Sequence, residues 1–365
     1  MKRTEVVVMG FGGVGREVLK CFADEHRSAA AAIDGVNIDL MAIADKSGVV
    51  HFNPGGASIE QISPLINLKE MGGSLDGIPI EDLKGLNGGH KCIVADLTGS
   101  LYTTPILIQA VQTGCGVVSA NKPPFAGSYE DWKTLSRYAL CRYNTTLGGP
   151  RGIPYELKTL RRGGAKIEKI EMAVNGTCNF GFHTMGRLPL HSFEMMMIES
   201  IRRGLPERDP RKDFGGDDFR NKSIIAGREA FGSNCQWAVE GEVEVTPLLP
   251  PEILGSSSEE FQSNWMGTVD DYFREMITRK ALKREPGLRK HPVYMATLTP
   301  EKASVNLHHL PPYHPIIRNL FEEHIVVAVY LKGRTEPEVF KGVGAGAKDT
   351  GARVWADIIE VAQMM

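Results

Sequence analysis

The sequence predicts an α/β protein with two unlike halves. The first is a parallel sheet covered by helices on both faces, and the second an α+β unit on a largely antiparallel sheet. Three observations carry this. Over the first 145 residues, short apolar runs alternate with stretches of helical periodicity. The stretch NTTLGGPRGIPYE (144–156), rich in glycine and proline, breaks that rhythm. Past it, SVNLHHL, HIVVAVYLKG and EVFKGV follow one another as antiparallel strands do. Residues 1–150 are therefore assigned to a first domain and 151–338 to a second. Residues 339–365 form a glycine loop and helix returning to the first.

Each element has its own signal. TEVVVM (4–9) is a β-rich apolar run, and after GFGGVGR the residues Val18, Leu19 and Phe22 recur at helical spacing. VNIDLMAIAD (36–45), KCIVADLTGS (91–100) and CGVVSAN (115–121) read as further strands. Thr104-Pro105 opens a helix running to Val111, with proline suited to its first turn. SYEDWKTLSRYAL (128–140) is amphipathic, and Ser128 with Asp131 resembles a capping box. In the second half, IEKIEMAVNGT (167–177) reads as a strand and HSFEMMMIESIRR (191–203) as a core helix. Segment 250–290 is charged and irregular and receives no firm assignment.

Composition excludes some classes. The 365 residues are 42% hydrophobic with a formal charge of −2. That is enough apolar material for two cores, and no long basic tract points to nucleic acid or an anionic membrane. The apolar runs are too short to span a bilayer, and the N-terminus reads as a strand, not a signal peptide. Six scattered cysteines (Cys21, Cys92, Cys115, Cys141, Cys178, Cys235) form no CxxC pair. Zinc is not expected. The thiols are expected to be buried and free, in a reducing, cytoplasmic setting.

Gly10-Phe11-Gly12-Gly13-Val14-Gly15 follows a strand and precedes a helix. Glycines there allow a tight turn, close approach of backbone to a pyrophosphate, and an open helix N-terminus facing it. This is the signature of a Rossmann-type dinucleotide domain. Which dinucleotide it takes depends on Ala44-Asp45-Lys46-Ser47 at the end of the second strand. Asp45 would accept the ribose 2′-OH of NAD, whereas Lys46, helped by Arg16, would meet the 2′-phosphate of NADP. The reading leans to NADP, with NAD left open.

The stretch LPERDPRKDFGGDDFRNKS (205–223) gathers five acids and five bases around a double glycine, just before the apolar Ile224-Ile225. Asp218 and Lys222, four apart, would pair on a helix. A partly buried Lys222 needs that carboxylate, and a lysine so held suits general acid–base work.

Glu207-Arg208-Asp209-Pro210, Asp213 and Gly216-Asp217-Asp218-Phe219-Arg220-Asn221-Lys222 resemble the signature of the homoserine dehydrogenases. Ser119-Ala120-Asn121-Lys122-Pro123-Pro124, Asn175-Gly176-Thr177 and Gly342-Val343-Gly344-Ala345-Gly346 with Thr350 agree in order along nearly the whole chain. The resemblance implies reversible NAD(P)-dependent conversion of L-homoserine to L-aspartate 4-semialdehyde, in threonine and methionine biosynthesis. It implies Lys222 and Lys122 as catalytic lysines meeting beside the nicotinamide, with Asp218 beside Lys222. It further implies substrate contacts at Glu207, Asp213, Asp218, Gly176 and Thr177. Cofactor contacts fall at the glycine loop, Lys46, Thr98, Lys122 and Gly346.

A homodimer through the second domain's sheet is implied as well. The family has a glutamate near a monovalent cation where this chain has Asn144, a weaker ligand, so the cation is left open. Cys178 is expected to be a packing residue, and neither His308 nor His309 a metal ligand. No regulatory or kinase module is expected. Two other readings stay open: a related dehydrogenase for another amino-acid semialdehyde, motivated by 144–154 and 311–324, and a silent dinucleotide-binding regulator.

Overall fold

The computed structural model describes residues 2–53, 55–75, 92–187, 193–203, 205, 209, 211–257, 271–272, 290–344 and 346–365. Most of segment 250–290 lies outside them, as do Glu207 and Ala345. The chain divides into two compact units, Met1–Gly152 with Gly346–Met365, and Ile153–Ala345.

The first unit holds strands β1 (Lys2–Met9), β2 (Val36–Asp45), β3 (Gly48–His51), β4 (Cys92–Asp96), β5 (Gly116–Ser119) and β6 (Cys141–Arg142). They lie in the order β3-β2-β1-β4-β5-β6, parallel except for the antiparallel β2–β3 hairpin. Its helices are α1 (Gly13–Phe22), α2 (Glu25–Ile33), α3 (Ile59–Glu70), α4 (Thr104–Gln112), α5 (Pro123–Ala126) and α6 (Tyr129–Arg137). The Val6–Met9 run is buried on both faces, as a central parallel strand requires. Ser128 caps α6 by accepting from the Asp131 N–H, as its spacing predicts.

The second unit begins with α7 (Ile153–Arg162), β7 (Ile167–Ala173), α8 (Gly176–Arg187), α9 (Phe193–Arg202), α10 (Arg211–Phe214), α11 (Asp217–Phe231) and α12 (Gln236–Glu240). It continues through β8 (Glu244–Val245), α13 (Pro251–Gly255), β9 (His291–Leu298), β10 (Ala303–Leu310), α14 (Pro315–Asn319), β11 (His324–Leu331) and β12 (Glu338–Val343). Its sheet runs β12-β11-β7-β9-β10-β8, antiparallel except where β10 meets β8. The 167–177 stretch is strand only to Ala173. Asn175 then starts α8 by accepting from the Cys178 N–H.

The last helix, α15 (Ala347–Met364), belongs to the first unit, where Val354, Ile358 and Val361 enter the core. Its Gly351 lies so close to Glu17 on α1 that a side chain there would collide.

One expectation about the thiols is corrected. Cys92 and Cys115 form a disulfide, while Cys21, Cys141, Cys178 and Cys235 are free and buried. β4 and β5 pair with Ile93 opposite Gly116, so the preceding cysteines stand opposite each other with Cα atoms 5.1 Å apart. That distance suits a disulfide. The 23-residue separation hides it, because only strand register brings the two together. Denaturation without reductant should therefore expose four thiols to a thiol reagent, and six after reduction. Six without reductant would contradict the bond.

Candidate active site

In the first unit the glycine-rich loop makes a tight turn into an uncapped helix. Gly10 has φ +99°, and a side chain there would strike the Leu97 and Thr98 backbone at 2.6–2.8 Å. Gly10 N–H donates to Ala44 O at 2.7 Å, tying the turn to β2. Gly12 and Gly13 are exposed at the start of α1, and no side chain caps that helix. Its first N–H groups, including those of Val14 and Gly15, are thus placed for an anion. Gly346 caps the start of α15, and the first helical residue, Ala347, comes within 3.3 Å of a Cβ built on Gly13. The returning segment therefore reaches the same loop.

At the end of β2, Lys46 is exposed on the hairpin turn. Asp45 is engaged by a residue the sequence reading missed. Lys69, on α3, sets its Nζ 2.5 Å from Asp45 Oδ2, and both side chains are 13% exposed. Ser47 donates its N–H and hydroxyl to Asp45 Oδ1 at 2.7 and 2.5 Å. Burial by itself would raise the Asp45 carboxyl, but the Lys69 and Ser47 hydrogen bonds outweigh it and hold it below its ordinary value. The Lys69 ammonium also lies 5.9 Å above the Phe11 ring, beside the glycine loop. Period-3.6 reasoning makes Lys69 a last-turn helix lysine and nothing more.

At the sheet's C-terminal edge, Thr98 follows β4 and Lys122 follows β5. The Thr98 hydroxyl donates to Asp96 Oδ1 at 2.7 Å. Lys122 precedes α5, its carbonyl accepting from Phe125 and Ala126 N–H at 2.9 and 3.0 Å.

In the second unit, the charged stretch resolves into a turn and a buried helix. Gly216 caps α11 with φ +91°, and a side chain there would collide with Val245 and the Tyr294 hydroxyl. Asp217 and Asp218 occupy the first turn, where carboxylates favour the helix dipole. One turn on, Lys222 is 8% exposed. Its Nζ donates to Asp218 Oδ2 at 2.5 Å and to the Val174 carbonyl at 2.6 Å.

Asn175 ties the acids together. Its Nδ2 donates to Asp213 Oδ1 at 2.8 Å and to Asp218 Oδ2 at 3.2 Å, while its Oδ1 caps α8. Lys222, Asp218 and Asp213 thus meet at the start of α8, where Gly176 and Thr177 form the first turn. In the sequence Asn175 is part of the Asn-Gly-Thr motif, which by itself names no role for it. Asparagine before a helix start is the signal that could have found it. Glu207 lies outside the described residues.

Cys178 is fully buried in the same cluster, its thiol 3.7 Å from Asp213 O. Burial, reinforced by Asp213 and Asp218, pushes that thiol well above its ordinary value, so it packs as a neutral group. Among the described residues no group of three His, Cys, Asp or Glu could hold a metal ion. At the turn where a monovalent cation was left open, Asn144 Nδ2 and Arg353 Nε both donate to Asp357 Oδ1 at 3.0 Å. The Arg353 guanidinium thus contacts one oxygen of that carboxylate, while the other, Asp357 Oδ2, is buried without a hydrogen-bond partner.

The family model described as homoserine dehydrogenase matches residues 156–359. The bifunctional aspartokinase/homoserine dehydrogenase 2 of Escherichia coli (strain K12) is 26% identical, aligned over 100% of this chain and 44% of its own length. The homoserine dehydrogenase of Saccharomyces cerevisiae is 25% identical, covering 100% of this chain and 99% of that one. This chain spans less than half the length of the bifunctional relatives it matches. In fold it resembles a hyperthermophilic archaeal homoserine dehydrogenase solved with NADPH, with TM-score 0.69 and 19% identity over 100% of this chain and 98% of that one. With the family model matched over more than half its length, the chain belongs to the homoserine dehydrogenase family.

Proposed function

We propose that the chain interconverts L-homoserine and L-aspartate 4-semialdehyde with NADP, NAD being the weaker alternative. The observation that carries this is the Lys222–Asp218–Asn175–Asp213 cluster. It joins a buried ammonium to carboxylates suited to an amino acid's own ammonium. The open glycine loop fits a dinucleotide, which when bound supplies or accepts the hydride.

In the reductive direction Lys222 protonates the oxygen that gains charge at the aldehyde carbon. Two of its ammonium hydrogens go to Asp218 and the Val174 carbonyl, and the third is proposed for the substrate oxygen. Lys122 is proposed to add a second positive charge for that oxygen. Asp213 and Asp218, with Glu207, are proposed to hold the substrate ammonium, and Gly176 and Thr177 to line the pocket. Steady-state oxidation of L-homoserine with NADP and with NAD tests the reading. Turnover is expected with both, faster with NADP, and cofactor binding without turnover would favour the silent regulator.

Lys69 is proposed to meet the NADP 2′-phosphate together with Lys46, and Thr98 to contact the nicotinamide side. Lys69→Ala removes a charge-assisted contact worth about 1.5–3 kcal/mol and frees Asp45 for a ribose hydroxyl. The NADP-over-NAD ratio in kcat/KM is then expected to fall about 10- to 100-fold, and an unchanged ratio would remove Lys69 from this role. A homodimer and a cytoplasmic, biosynthetic setting belong to the same proposal, resting on the family resemblance. Among the described residues no helix is long and apolar enough to cross a membrane. Light scattering on the purified chain reads the oligomer.

A further inference from the structure

A carboxylate with no part in the chemistry above sits beneath the loop that carries Lys122. Asp96 ends β4 and is 0% exposed. Its Oδ1 accepts from the Thr98 N–H at 3.0 Å and the Thr98 hydroxyl at 2.7 Å. Its Oδ2 accepts from the Thr103 hydroxyl at 2.7 Å and from Asn121 Nδ2 at 2.9 Å. The Asp96 carbonyl accepts from the Ala120 N–H at 2.9 Å. One residue thus grips both the loop after β4 and the loop after β5.

Asn121 closes the grip from the other side. It is 1% exposed, and its Nδ2 also lies 3.1 Å from Thr98 Oγ1, 2.6 Å from Ser100 O and 3.0 Å from Thr103 Oγ1. These acceptors dictate the amide's orientation, since reversing it would press Oδ1 against the Asp96 carboxylate. The Asn121 backbone N–H is held by Ser119 Oγ at 3.1 Å. The residue is therefore fixed by main chain and side chain alike, one peptide before Lys122. A surface loop needing only a turn would not bury a carboxylate with this many donors. Burial pushes the Asp96 carboxyl up while Thr103, Asn121 and Thr98 act against it.

We propose that Asp96 and Asn121 are a positioning pair that sets the backbone of Lys122 and couples it to the Thr98 loop. This rests on the reading of Lys122 as an active lysine. Asn121 belongs to the Ser-Ala-Asn-Lys motif, and its place beside Lys122 then has a physical reason.

The test compares Asp96→Asn, Asn121→Asp, the double exchange Asp96→Asn/Asn121→Asp, Thr103→Val and Lys122→Ala. Steady-state kinetics on L-homoserine and NADP are read with the melting temperature of each variant. Each single exchange places two like groups face to face, and kcat is expected to fall at least about tenfold, since small misplacements of an active group are costly. The KM for NADP is expected to rise far less than kcat falls, because the glycine loop is untouched and the only cofactor contacts disturbed are those at Thr98 and Lys122. The double exchange restores one carboxylate facing one amide, and kcat is expected to return to within about threefold of wild type. If a single exchange fails to fold, Thr103→Val, which removes one donor, is expected to lower kcat about threefold or more. Unchanged kcat in the folded singles or in Thr103→Val would overturn the proposal, as would a folded double exchange no better than the singles. Unchanged kcat in Lys122→Ala would instead bring down the reading of Lys122, and the positioning role with it.

Discussion

Lys222→Ala is expected to lower kcat for homoserine oxidation by about 10²–10⁴-fold, the usual worth of a positioned acid–base group, while KM moves little. The expectation follows from where the ammonium sits. Lys222 is 8% exposed, its Nζ between Asp218 Oδ2 at 2.5 Å and the Val174 carbonyl at 2.6 Å. Water entering the truncated site would still carry a proton, which sets the lower end of the range. Equal losses in kcat and kcat/KM would mark an interaction made in the transition state. A kcat within a factor of about three of wild type would remove Lys222 from proton transfer.

Asp218→Ala is expected to destabilise the fold by about 3 kcal/mol or more, as breaking a buried ion pair does, besides lowering activity. The two side chains are only 12% and 10% exposed, so solvent cannot replace the lost carboxylate. Asn175 would lose one of its acceptors while keeping Asp213 at 2.8 Å. Removing both charges, in Asp218→Ala/Lys222→Met, should recover much of that stability, because no unpaired charge is left behind. Urea unfolding midpoints at unchanged m-value read both effects. A single-variant loss below about 1 kcal/mol would show a solvated surface pair instead.

The strands were legible because burial leaves a mark on composition. β1 ends and β4 begins in a run of four apolar residues, and the glycine loop after β1 carries its own spacing. The charged stretch before Ile224 was legible as a conflict: five bases and five acids do not belong at the start of a buried helix without a purpose. What stayed hidden depends on which distant residues meet. Lys69 lies 24 positions after Asp45, and nothing local says that α3 brings its last turn to the end of β2. Cys92 and Cys115 are joined by strand register, which no spacing rule supplies. Asn175 was hidden differently. Read as the tail of a strand, it had no helix to cap, and its amide could not be placed on two carboxylates from elements 38 and 43 residues away. Asp96 and Asn121 read as strand-end polar residues until the two loops are seen to share one carboxylate.

The most direct measurement compares reduction of L-aspartate 4-semialdehyde by NADPH with reduction of succinate semialdehyde, which differs only in lacking the α-ammonium. If Asp213 and Asp218 bind that ammonium as proposed, kcat/KM is expected to favour the amino-acid aldehyde by at least about 10³-fold, since a polar site left without its partner rejects the analogue strongly. Comparable kcat/KM values for the two aldehydes would contradict an amino-acid site at Asp213 and Asp218.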